Sequence, residues 1–85
     1  MSMPRSTHTP DYAVLLTVLR ESRESRGLLQ AELAERLDTS QSFVSKCENG
    51  ERRLDVIELR NWCVALGVRF PDFVAELDKR LRRKR

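Results

Sequence analysis

Apolar residues return every three or four positions along this chain, in five separate runs. The first opens at Thr9-Pro10-Asp11. There Thr9 can cap a helix, Pro10 suits its first position and Asp11 complements its positive end. Tyr12, Leu15, Leu16 and Leu19 follow at helical spacing, and Gly27 stops the run with Arg23 and Arg26 in the last turn. Residues 30–37 are strong helix formers, with Leu33, Ala34 and Leu37 on one face, until Asp38-Thr39-Ser40 breaks them off. Ser40 caps a third helix over residues 41–49, whose inner face is Val44 and Cys47 and which Gly50 ends. Asp55, with Glu58 three residues on, resembles a capping box. Val56, Leu59, Trp62, Cys63 and Leu66 keep helical spacing from there to Gly67, with Trp62 expected in the core. Pro71 opens the last helix, which carries Phe73, Val74, Leu77 and Leu81 and is expected to fray into a basic tail.

The pattern predicts an all-α fold of five helices, with no alternating strand, no internal repeat and no heptad run long enough for a coiled coil. The second and third helices have about two turns each, well below the length at which isolated helices persist. They must therefore pack on the other three. The outer face of the third is almost entirely polar: Gln41, Ser42, Ser45, Lys46 and Asn49. Amide, hydroxyl and ammonium groups on a short surface helix suit the major groove of DNA, where they can read base edges.

Composition narrows the picture. With 85 residues the chain has room for one domain. It is 40% hydrophobic and 34% charged, and no apolar run approaches the roughly 18 residues that would span a bilayer. The polar start carries no secretory signal pattern, so a cytoplasmic protein with no membrane partner is expected. Cys47 and Cys63 form no CxxC, and the single histidine, His8, lies in the leader. No metal site or cofactor is expected from them; the cysteines read as small buried hydrophobes. An enzyme is not expected either, because no nucleophile–base pair, carboxylate cluster or phosphate loop is visible. The net charge of +3 is unevenly spread: residues 79–85 carry six positive charges, leaving ten bases against thirteen acids in residues 1–78. The expected organisation is a flexible leader at 1–9, a domain at 10–78 and a basic tail at 79–85 that can reach the DNA backbone or merely keep the chain in solution.

Residues 23–68 resemble the phage-repressor (Cro/XRE-type) helix-turn-helix family. The resemblance rests on Arg23, Gly27-Leu28, Gln30, Glu32-Leu33-Ala34, Leu37, Ser40-Gln41-Ser42, Val44-Ser45, Glu48-Asn49-Gly50 and Ala65-Leu66-Gly67-Val68 in this order and spacing. It implies a compact lambda-repressor-like bundle in which the second and third helices are the helix-turn-helix. It assigns base contact to Gln41, Ser42, Ser45 and Lys46, and phosphate contact to Gln30 and Asn49. It makes Arg23 and Glu48 a partly buried ion pair. Arg52 and Arg53, just after the third helix, are further phosphate candidates by position. Phe43 stays open between a thymine methyl, a ribose and the cover of the helix-turn. Four residues depart from the family pattern: Leu29 at a usual Thr or Ser cap, Asp38 at a usual turn glycine, Cys47 at a usual Ile or Leu, and Leu54 at a frequent Pro.

The expected function is sequence-specific binding to double-stranded DNA by a dimeric transcriptional repressor on a near-palindromic operator. Phe70, Phe73, Val74, Leu77 and Leu81 exceed what one small core needs and are the expected homodimer surface, with Tyr12 and Leu16 as the next candidates. The rival readings are an antitoxin that represses its own operon while holding a toxin, and a protein-interaction module on the same fold. Nothing in the chain suggests a small-molecule ligand.

Overall fold

The structure, a computed structural model, describes residues 9–84. The leader expected at 1–9 therefore lies outside the described residues except for Thr9, as does Arg85 of the tail. Five helices follow one another: α1 (Pro10–Glu24), α2 (Gln30–Arg36), α3 (Gln41–Glu48), α4 (Val56–Leu66) and α5 (Phe70–Arg83). No strand is present among the described residues.

Each start has a local cause. Thr9 Oγ1 accepts the Tyr12 N–H at 3.1 Å and Ser40 Oγ accepts the Phe43 N–H at 3.1 Å. Asp55 and Glu58 close a full capping box, Oδ1 to the Glu58 N–H at 2.7 Å and Oε1 to the Asp55 N–H at 2.9 Å. Leu29 offers α2 no side-chain acceptor, so Glu32 supplies the returning half alone, taking the Leu29 N–H at 2.8 Å. Asp38, in the turn between α2 and α3, adopts φ 57°. The left-handed residue lets the Thr39 N–H close on the Ala34 carbonyl at 2.9 Å, the work a glycine usually does, at some conformational cost.

The core joins all five helices: Leu16, Leu19, Leu33, Val44, Cys47, Leu59, Trp62, Cys63, Leu66 and Phe73 are buried. α2 packs on α3, α1 bears on α3, and α5 lies along α1 while also touching α4. That course overturns the expected dimer surface in part. Phe73 is 2% exposed and belongs to the core, while Phe70, Leu77 and Leu81 are half-buried; only Val74 stands exposed. Tyr12 and Leu16 are buried too. The reason is that α5 completes a core four short helices cannot close. Exposed apolar residues lie instead on α4, at Val56, Ile57 and Val64, and at Leu29 just before α2. Val56 thus falls outside the core that its spacing suggested.

The expected tail is also different. α5 stays helical through Arg83, stitched by Arg80–Glu76 and Arg82–Asp78 one turn apart and tied to α1 by Arg80–Glu21 at 2.7 Å and Lys84–Asp11 at 3.5 Å. Acids one turn earlier and acids on α1 absorb enough of the positive charge to keep the helix going. Among the described residues no helix is long and apolar enough to cross a membrane.

Candidate nucleic-acid interface

α3 is anchored through its inner face, where Val44 and Cys47 are fully buried, and through Glu48, only 1% exposed. Arg23 reaches across from α1 and grips Glu48 with two bonds, Nε to Oε2 at 2.7 Å and Nη2 to Oε1 at 3.0 Å. Its remaining terminal nitrogen donates to the Leu28 carbonyl at 2.7 Å, tying in the link to α2. Gln30, half-buried at the first position of α2, donates Nε2 to Glu48 Oε1 at 3.0 Å. Donating these bonds to Glu48 pushes the Arg23 pKa further up, against the opposing effect of burial. No buried side-chain polar atom among the described residues lacks a partner.

This clamp fixes which face of α3 looks outward. Gln41, Ser42, Lys46 and Asn49 are exposed on it and Ser45 is half-buried between them. Phe43 turns the other way. Its ring is half-buried against the helix-turn, in a shallow hollow shared with Leu37, Thr39 and Trp62, and the Arg52 guanidinium lies 5.2 Å from its centre. Arg52 is not left open. Its fork grips Glu58 at 2.9 and 2.8 Å, which raises the arginine pKa and, with the Asp55 N–H, holds the Glu58 carboxyl below its ordinary range. Arg53 stacks its guanidinium 4.3 Å from the centre of the Tyr12 ring. Sequence reasoning missed the Arg52–Glu58 and Gln30–Glu48 bonds; both cross between elements and have no periodic signal.

Cys47 and Cys63 are free and buried, and burial pushes both thiols up to about 11. Among the described residues no group of three or more His, Cys, Asp or Glu could hold a metal ion.

A helix-turn-helix family profile matches residues 19–73, well over half of the chain. An XRE-family like protein from Pseudomonas syringae pv. tomato str. DC3000 is 46% identical, over 81% of this chain and 84% of that one, with a TM-score of 0.77. The chain belongs to the XRE family of helix-turn-helix proteins. XRE-family proteins are DNA-binding regulators. The clp gene regulator ClgR from C. glutamicum is 28% identical to this XRE-family chain over 85% of it and 94% of ClgR, with a TM-score of 0.73. The restriction-modification controller protein C.Esp1396I shares the fold, with a TM-score of 0.79 over 87% of this chain and 94% of that one, at 23% identity. No curated protein matches the sequence significantly.

One departure from the family pattern has a structural use. The Leu54 N–H donates to the Tyr12 hydroxyl at 2.9 Å. A proline at that position has no N–H to give.

Proposed function

We propose that this XRE-family protein is a transcriptional regulator that binds double-stranded DNA sequence-specifically as a homodimer, with α3 in the major groove of a near-palindromic operator. The observation that carries the reading is the outward row of Gln41, Ser42, Lys46 and Asn49 on a helix locked from behind by Arg23 and Glu48. Gln41, Ser42, Ser45 and Lys46 are the base-reading set. Gln30, bonded to Glu48, and the adjacent Asn49 hold phosphates at the C-terminal end of α3, and Gln30 still has its second amide hydrogen after serving Glu48. Arg53 is a weaker candidate, and Arg52 contributes less because Glu58 already holds its fork.

One α3 spans too few base pairs for operator selectivity, which is why two subunits are part of the proposal. The exposed Val56, Ile57 and Val64 on α4, with Val74 on α5, are the apolar surface best suited to the second copy. The domain proper is then residues 10–83, and the protein acts in the cytoplasm.

The test is footprinting on the DNA upstream of the protein's own gene, followed by titration of the protected sequence. Gln41→Ala should lose about 1–3 kcal/mol of specific binding and relax preference at one or two base pairs. Lys46→Ala should weaken binding as well. Parent-like affinity in both variants would sink the assignment of α3. Val64→Asp should give monomers in sedimentation and weaken operator binding; a dimeric Val64→Asp would remove α4 from the interface.

A further inference from the structure

α1 carries an open groove on the side that meets the end of α3. Ala13, Thr17 and Arg20 form one wall, Asn49 the other, and buried Glu48 lies beneath with its charge already spent on Arg23. A second hollow separates α1 from the last turns of α5, between Thr17 and the basic residues Arg80, Arg83 and Lys84. Thr17 lines both, so the two hollows adjoin across this side chain and are taken together as one track. It runs from Asn49, on the outward face of α3, over α1 to the basic end of α5.

The charges on this track and those beside it, at Lys79 and Arg82, are unequal. Lys79, Arg80, Arg82 and Lys84 each sit beside a carboxylate, respectively Glu76, Glu21 with Glu76, Asp78 and Asp11. Arg20 and Arg83 are exposed and close no salt bridge among the described residues, although Glu76 attracts Arg83 from a longer distance. They flank the exposed Thr17, one on each side. Ala13 to Arg20 covers about 10 Å of helix, roughly three steps of one DNA strand.

We propose that this track is a second DNA-backbone contact, in which Arg20 and Arg83 bind phosphates flanking those next to α3. The proposal rests on the DNA-binding reading above and extends it onto α1 and α5. Residues 1–78 carry three more acids than bases, so a polyanion can approach only where cations are locally unpaired. This track is such a place, and it continues the face that α3 presents. Arg20 and Arg83 add affinity for any sequence, because they meet no base edge.

The experiment uses the full chain and a fluorescein-labelled random-sequence duplex two helical turns long, titrated by anisotropy across about 50 to 200 mM NaCl. Arg20→Gln/Arg83→Gln should reduce the log–log salt slope by up to about 1.8, near 0.9 for each phosphate that is no longer neutralised, and each single variant by about half of that. Lys79→Gln/Arg82→Gln removes the same net charge from cations outside the track and should leave the slope at the parent value. Circular dichroism should show parent helix content in both doubles, since all four side chains are exposed. A parent slope in the first double, or an equal drop in both, overturns the track. If Lys46→Ala still weakens binding in that case, the α3 reading stands without it. A parent that binds no duplex overturns both.

Discussion

Arg23 and Arg52 each offer a guanidinium fork to a glutamate at nearly the same distances, Arg23 side-on through Nε and Nη2 and Arg52 end-on through Nη1 and Nη2. Arg23 meets Glu48 at 2.7 and 3.0 Å; Arg52 meets Glu58 at 2.9 and 2.8 Å. Their surroundings differ. The side chains of Arg23 and Glu48 are 10% and 1% exposed, whereas those of Arg52 and Glu58 are 43% and 30% exposed. The buried fork joins α1 to the end of α3, with Leu28 and Gln30 as further partners, and so decides where the polar face of α3 points. The exposed fork joins a loop to the first turn of α4, where Glu58 also takes the Asp55 N–H and Arg52 lies over Phe43, but it does not orient α3. Two similar ion pairs therefore do different work. A buried pair is costly to assemble and very costly to break by half, while water and salt weaken an exposed one.

The sharpest way to test that contrast is to remove one acid from each fork. Glu48→Ala leaves the Arg23 charge buried without its partner and should cost about 3–5 kcal/mol. Domains of this kind have only about 5–15 kcal/mol in total. The melting temperature should fall by at least about 12 °C. Urea denaturation followed by the fluorescence of Trp62, which is buried, reads the change directly. Arg23→Ala should cost a similar amount, and the double variant less than the sum, because the unpaired charge is then gone. A Glu48→Ala loss no larger than that of Glu58→Ala would abolish the distinction between the two sites.

A middle-sized effect belongs to the loop that the exposed fork decorates. Tyr12 connects this loop to α1 by accepting the Leu54 N–H, and Arg53 covers its ring. Tyr12→Phe removes only the acceptor and should cost about 0.5–1.5 kcal/mol. Leu54→Pro removes the donor and should cost about as much or more. The decisive reading is the cycle: in a Leu54→Pro background, Tyr12→Phe should cost almost nothing further. Additive losses would mean that the hydrogen bond does not hold the loop, and that burial of the ring alone does.

The five helices were legible in the sequence because their causes are local. Thr9, Ser40 and Asp55 cap where they stand, and the apolar spacing of α1, α2 and α3 separates an inner from an outer face. α4 was harder. Val56, Ile57, Leu59, Trp62, Cys63, Val64 and Leu66 are apolar around most of its circumference, so periodicity could not say that Ile57 and Val64 face outward. α5 failed for a different reason: its single apolar face was plain, but not what that face meets, so Phe73 looked like surplus when it in fact fills the core. The end of α5 was misread because its run of cations suggested a frayed tail, while the acids that hold it helical lie partly on α1, far earlier in the chain. Of the candidate site, the sequence could show which side chains α3 carries. It could not show that Glu58 occupies Arg52, or that Arg20 and Thr17 adjoin Asn49, since both depend on how separate helices meet.

The smallest expected effect is the most diagnostic of the exposed fork. Glu58 is held below its ordinary range by Arg52 and by the Asp55 N–H. A carboxyl whose folded pKa is depressed stabilises the protein fully above its unfolded pKa, about 4.3 for glutamate. That stabilisation is lost as pH falls through the folded value. Glu58→Gln keeps an oxygen for the Asp55 N–H but gives up the charge. At pH 7 it should be less stable than the parent by under about 1 kcal/mol, given the exposure of the pair. The gap should close as the pH falls below the folded pKa, where the parent's own Glu58 is protonated. It should also narrow at about 1 M salt, where charges more than a few ångströms apart in water no longer feel one another. Glu48→Gln should behave differently: its deficit is larger and should persist in salt, because water and ions do not reach the pair. A Glu58→Gln gap that stays the same in acid and in salt would place the exposed fork in the same class as the buried one.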